Sequence, residues 1–182
     1  MVLKMIETAR LILRQWQLED YVYFAQMSTN PQVMQYFPKL LTRTESDAFI
    51  DKVRAIIELQ GWGFWAVELK SNHQFIGFVG LHSQPTQFSF SPCVEIGWRL
   101  DHAYWGKGYA TEAAQAVLHL AFRRLKLQKV VSFTALENSR SERLMRKIGM
   151  RKVNEFQHPA LAKDHPLSWH VLYEILETNF FE

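Results

Sequence analysis

The order of hydrophobic patterns along this chain predicts an α+β protein, a β-sheet of mixed direction flanked by helices. Three observations carry that expectation. Residues 110–125 hold the strongest helical period: Ala110, Ala113, Ala114, Val117, Leu118, Ala121, Phe122 and Leu125 recur at spacings of three and four. Two apolar runs, 64–69 and 75–82, flank the polar turn 70–74 as a hairpin would. Downstream, strand and helix patterns alternate before two closing strands, which gives the overall order β–α–α, an antiparallel meander, then β–α–β–α–β–β.

Each element has a local reason. Residues 8–15 alternate charged and apolar side chains, as a half-buried strand does. Leu18 to Met27 suits a helix, and Asn30-Pro31 reads as a cap followed by proline at the first helical position of a short second one. Thr44-Glu45-Ser46-Asp47 is expected to cap the next helix. Its residues Phe49, Ile50, Val53, Ile56 and Ile57 share one face, and Gly61 ends it. Cys93–Leu100 and Lys129–Leu136 are apolar strands, Ser139–Lys147 is a short helix, and Met150–Phe156 and Trp169–Leu176 are the final strands.

Composition narrows the function classes. The 182 residues fit one domain with a full core, and the 48% hydrophobic and 21% charged fractions are ordinary for a globular chain. A net charge of +3 and a pI near 9.0 suit an anionic ligand. No dense basic run marks nucleic-acid binding. The cluster Arg123-Arg124-Leu125-Lys126 lies where a helix ends and complements its negative terminus. Residues 75–94 lack charge but are broken by prolines and polar residues, so no membrane span is expected. A single cysteine, Cys93, allows no intrachain disulfide, and residues 1–7 show no signal-peptide pattern. Both fit a cytoplasmic protein, either a monomer or a homodimer. The seven histidines show no metal-ligand spacing, so no metal is expected.

The chemistry is concentrated in residues 93–111. An apolar strand runs into Trp105-Gly106-Lys107-Gly108-Tyr109-Ala110, and this glycine-spaced loop opens directly into the long helix. The first N–H groups of a helix lack intrahelical partners, and with the positive end of the dipole they cradle phosphate. Two known phosphate loops fail here. A Walker A loop would put its first glycine at Asp101 and its Ser or Thr at Gly108, and a dinucleotide fingerprint would need glycine at Thr111. Taken alone, the remaining Gly-x-Gly also fits a plain helix-entry turn.

The loop resembles the coenzyme A pyrophosphate loop of the GCN5-related N-acetyltransferases (GNAT), with Trp105 in place of the usual Arg or Gln. A second match follows in the right order: Asn138-Ser139-Arg140-Ser141, a short helix, then Lys147-Ile148-Gly149-Met150. The opening Thr8-Ala9-Arg10-Leu11-Ile12-Leu13-Arg14 and the closing His165-Pro166-Leu167 with His170-Val171-Leu172-Tyr173 are similar to the branch containing ribosomal-protein N-terminal acetyltransferases. The resemblance spans about residues 8–176 of a single domain, 1–182.

That resemblance implies a sheet whose two central strands splay apart to admit acetyl-CoA. It further implies that Trp98, Arg99 and Leu100 offer backbone bonds to the pantetheine arm, that Gly106, Lys107, Gly108, Tyr109, Ala110 and Thr111 bind the pyrophosphate, and that Asn138 and Ser141 lie on the arm's other side. Glu95, a carboxylate in an apolar strand, is the candidate general base; it fits equally a solvent-facing residue or a partner of Arg99. Met145 stands where many members carry a proton-donating tyrosine, which leaves Ser141 as the hydroxyl one turn away. The expected activity is direct transfer of an acetyl group from acetyl-CoA to a primary amine, either a peptide N-terminus or a small amine. A catalytically silent CoA-binding module is the alternative. Residues 16–45 and 157–168 are expected to choose the acceptor, with Met27, Met34, Tyr36 and Phe37 walling an apolar pocket.

Overall fold

Strand β1 (Met5–Glu7) turns at residues 8–10 into β2 (Leu11–Arg14), so the strand expected over 8–15 forms over its second half, paired antiparallel with an additional strand before it. The computed structural model of the protein describes residues 5–180. Helix α1 (Asp20–Ser28) follows, then a turn region, then α2 (Arg43–Gln60). The helix expected at Asn30-Pro31 does not form. The Asn30 side chain takes the Gln32 N–H at 2.9 Å and competes with helical bonding, leaving a chain of turns. Helix α2 starts two residues before the expected cap. Thr42 and Glu45 make a reciprocal capping box, each side chain bonding the other's backbone N–H.

Next come β3 (Phe64–Leu69), β4 (Phe75–Gln84) and β5 (Cys93–Leu100). A 3-10 turn (His102–Tyr104) leads to α3 (Tyr109–Arg123). The chain closes with β6 (Lys129–Ala135), α4 (Ser139–Lys147), β7 (Arg151–Gln157), β8 (Trp169–Leu176) and α5 (Glu177–Phe180). This is the α+β class the sequence predicts, with eight strands and five α-helices among the described residues. None of those helices is long and apolar enough to cross a membrane.

The chain folds as two compact units, Met1–Leu81 with Gly97–Val117, and His82–Ile96 with Leu118–Glu182. In the first unit β1, β2, β3 and β4 pair antiparallel, with Leu11 opposite Leu69 and Trp65 opposite Val79. Trp16, Phe24, Ile50, Trp65 and Phe78 are almost fully buried in this unit. Trp16 and Phe24 meet edge to face at 5.2 Å, and each such side chain contributes roughly 1.5–3 kcal/mol by burial. In the second unit β5 pairs parallel with β6 at Glu95 and Val131, while β6, β8 and β7 run antiparallel. The mixed direction therefore arises here. Val130, Val171, Tyr173 and Ile175 form its core.

Candidate active site

In the first unit the end of β5 and the start of α3 form one construction. The Asp101 carboxylate accepts the Ala103 N–H at 2.9 Å and sets the 3-10 turn. Trp105, the departure from the family pattern, donates its indole N–H to the Leu100 carbonyl at 2.8 Å. Its side chain thus fastens the loop to the strand instead of reaching for a ligand. Gly106 (φ 73°) and Gly108 (φ 81°) are both left-handed, a conformation that side chains with a Cβ resist. Left-handed residues alternating with others turn successive N–H groups to one side, a nest for an anion. Space is open above the loop, since a Cβ at Gly106 would meet nothing within 4 Å. The first-turn amides of the 15-residue helix α3 add to the cradle. These residues fit a pyrophosphate.

Two side chains that the sequence reading did not single out brace this loop. Arg10 donates through Nη1 to the Lys107 carbonyl at 3.0 Å and through Nε to Glu112 Oε2 at 2.7 Å. Its guanidinium also lies 4.5 Å over the Tyr109 ring. Glu112 Oε1 accepts the Arg10 N–H at 2.8 Å and the Thr8 hydroxyl at 2.6 Å. Burial raises the Glu112 pKa, but the Thr8 and Arg10 hydrogen bonds outweigh it and hold the carboxyl below its ordinary value. The acid therefore stays ionised at the head of α3 and is neutralised by Arg10 rather than by the ligand.

Arg99 departs from every sequence expectation for its side chain. Its guanidinium lies 4.0 Å from the Phe37 ring centre and within 5.8 Å of those of Phe24, Phe49 and Phe78. The pairing with Glu95 weighed from strand alternation is not made. Met27 and Met34 are core residues, so the wall expected from 21–37 reduces to Phe37 and its neighbours.

In the second unit Glu95 projects from β5 with its side chain only 15% exposed. Its Oε2 accepts one bond, from Gln84 Nε2 at 3.1 Å, and the same Gln84 nitrogen lies 3.0 Å from His82 Nδ1. Burial pushes the Glu95 pKa up to about 7, with the Gln84 bond offsetting part of the rise. Such a carboxyl is half ionised at neutral pH, as a general base should be. Gln84 was not anticipated, because the reading ended that strand at His82.

Asn138 and Ser141 are brought together at the head of α4. Asn138 Oδ1 accepts the Ser141 N–H at 3.2 Å, while its Nδ2 donates to Thr134 at 2.8 Å and to the Ser141 hydroxyl at 3.1 Å. Met145 is buried in the core. His170 is held neutral, its pKa pushed down to about 4 by burial and by His158 beside it, as a core histidine would be. Among the described residues no cluster of three His, Cys, Asp or Glu side chains is placed to hold a metal.

A strand that runs through a nested glycine loop into a long helix is the arrangement expected of a CoA-binding acyltransferase. The acetyltransferase (GNAT) domain model matches residues 10–151, and the chain belongs to that family. It is 30% identical to the uncharacterized N-acetyltransferase YnaD of Bacillus subtilis, over 96% of this chain and 98% of that protein. A GNAT-family acetyltransferase structure from Bacillus anthracis superposes with a TM-score of 0.81 at 28% identity, covering 96% and 99% of the two chains. The ribosomal-protein-S5-alanine acetyltransferase of Vibrio fischeri shares the fold, with a TM-score of 0.75, 20% identity, and 97% and 98% of the chains covered.

Proposed function

We propose that this acetyltransferase moves the acetyl group of acetyl-CoA directly onto a primary amine, with Glu95 as general base. The observation that carries the reading is a strand-borne carboxylate with its side chain 15% exposed and one hydrogen bond from Gln84, three residues before Trp98-Arg99-Leu100, whose pKa burial pushes up to about 7. Acetyl-CoA supplies the acyl group as a thioester. The nest and the first turn of α3 hold its pyrophosphate, and the Trp98–Leu100 backbone offers hydrogen bonds along the pantetheine arm. Glu95 takes a proton from the acceptor ammonium, freeing the nitrogen lone pair to attack the thioester carbonyl carbon. The C–N bond forms as the C–S bond breaks, sulfur leaves with the bonding pair as a thiolate, and the nitrogen sheds its second proton, which the thiolate takes up to give CoA thiol and the neutral amide. Asn138 bonds both the N–H and the hydroxyl of Ser141 and holds that serine in place. The acceptor is a peptide N-terminus or a small amine.

The test is release of CoA thiol from acetyl-CoA across a panel of peptides and small amines. Turnover is expected with at least one amine. Glu95→Gln should lower kcat about 100-fold, the usual worth of a general base, with acetyl-CoA affinity nearly unchanged. Binding of acetyl-CoA without turnover on any amine would leave a CoA-binding module instead.

A further inference from the structure

Arg99 is a half-buried cation with no ion-pair partner among the described residues. Among the described residues neither its Nε nor its Nη1 has a hydrogen-bond partner, and both atoms are closed off from solvent. Its surroundings are ring faces: Phe24 from α1, Phe37 from the segment after it, Phe49 from α2 and Phe78 from β4. Ring faces attract a guanidinium from above and below, but they offer no acceptor to N–H groups that point outward in its plane. Desolvation accordingly pushes the Arg99 pKa down to about 10.

Elsewhere in the same unit the protein handles a buried arginine differently. Arg14 meets Asp20 at 2.7 Å and Glu68 at 2.6 Å. Arg99 has the charge and the aromatic walls but lacks the anion. The box has an open side, because Arg99 as a whole is only half-buried although its Nε and Nη1 are closed off, and Phe37, the ring lying nearest the guanidinium, is 37% exposed. Each in-plane fork of a guanidinium pairs Nη2 with either Nε or Nη1, so a two-oxygen anion at either fork takes one of the two orphaned donors together with Nη2.

We propose that Arg99 receives an oxyanion carried by the acceptor, so that the amine substrate bears a carboxylate or a phosphate. This rests on the acetyl-transfer reading above, in which residues 16–45 help choose the acceptor; Phe24 and Phe37 belong to that segment. Cationic polyamines are excluded as good acceptors.

The experiment compares matched amines that differ only in the anion: β-alanine with β-alaninamide, glycine with glycinamide, and O-phosphoethanolamine with ethanolamine. For at least one pair the anionic member should be favoured tenfold or more in kcat/KM, and in Arg99→Met that ratio should fall toward one. The amide pairs and the phosphate pair tell which oxyanion is taken. In buffer alone Arg99→Met should melt at or above the wild-type temperature, since methionine fills the box without a charge. The favoured anionic amine should raise the melting temperature of the wild type and not of the variant. Three results would overturn the proposal: equal use of neutral and anionic amines, a preference that survives in Arg99→Met, or an effect of the variant confined to the KM for acetyl-CoA. A variant melting well below wild type would mark the guanidinium as structural and overturn it too. If no amine is acetylated, the acetyl-transfer reading fails, and the melting comparison still decides the anion site.

Discussion

Arg14 and Arg99 lie in one unit and both are withdrawn from water, yet the chain treats them in opposite ways. Arg14 is enclosed by two carboxylates, and Glu68 is held in turn by His73 at 2.8 Å. Burial works against its charge, but the Asp20 and Glu68 bonds more than offset this and raise its pKa. Arg99 has four rings around it and, among the described residues, no acceptor for its Nε or Nη1. The same contrast separates the two carboxylates of interest. Glu112 collects bonds from Thr8 and Arg10 and stays ionised, whereas Glu95 has one bond from Gln84 and titrates near 7. Saturated charges hold the fold. Charges left short of partners carry free energy that a substrate can recover, which is why they mark the working parts.

Removing each kind of charge should therefore move stability in opposite directions. Arg14→Met leaves Asp20 and Glu68 buried without their cation, and breaking such a cluster costs about 3–5 kcal/mol. In a chain of this size that lowers the melting temperature by roughly 10 °C, while Arg99→Met holds it or raises it. Thermal unfolding that drops equally in both variants would erase the distinction between them.

Glu95 sharpens the comparison through pH. Because its pKa is raised to about 7 in the folded protein, kcat/KM should climb with pH through about 7 as the base ionises. Stability should run the other way. A folded-state pKa above the unfolded one means the folded protein binds more protons between the two values. The Glu95 contribution is then fully present below the ordinary carboxylate range and lost as pH rises through about 7. Glu95→Gln should flatten that decline and be more stable than wild type at pH 8, although about 100-fold slower. A variant less stable than wild type at pH 8 would put Glu95 with the saturated charges.

A smaller effect is expected at the brace of the glycine loop. Arg10→Ala removes the bond to the Lys107 carbonyl and half of the Glu112 cluster, and leaves that acid unneutralised beside the phosphate nest. The KM for acetyl-CoA should rise about tenfold while kcat changes less, since binding to the nest is lost from ground and transition states alike. Arg10→Lys should recover only part of this, because lysine lacks the planar fork. A fall in kcat at constant KM would place Arg10 outside the loop's support.

What could be read from the sequence follows how local each feature is. The α3 period and the short helix Ser139–Lys147 are set by neighbours within a few residues, and the structure has helices over Tyr109–Arg123 and Ser139–Lys147. The start of α2 was misplaced because Thr42 and Thr44 are both plausible caps, and only the reciprocal bond to Glu45 selects the first. Arg10 and Glu112 are 102 residues apart, and nothing in either segment announces the other. Arg99 was legible as a strand residue. Its vacant donors were not, because an aromatic box drawn from α1, the following turns, α2 and β4 exists only after folding.

The smallest expected effect concerns Ser141, one helical turn before the position where the family resemblance implies a proton-donating tyrosine. Met145 occupies that place, has no proton to give and is buried in the core. Ser141 is itself held by Asn138, through its N–H and through its oxygen, so its hydroxyl belongs with the saturated groups. A CoA thiol is acidic enough to leave as a thiolate near neutral pH, so the reaction does not need a strong acid at the sulfur. Ser141→Ala keeps the backbone bond to Asn138, which also retains its bond to Thr134. The variant should lose at most about tenfold in kcat, less than the roughly 100-fold or more that a general acid contributes. The pH–rate profile of the wild type should rise with Glu95 and show no separate descending limb below pH ~9. A bell-shaped profile whose descending limb disappears in Ser141→Ala would instead make the serine a true acid, and a saturated group would then be doing the chemistry.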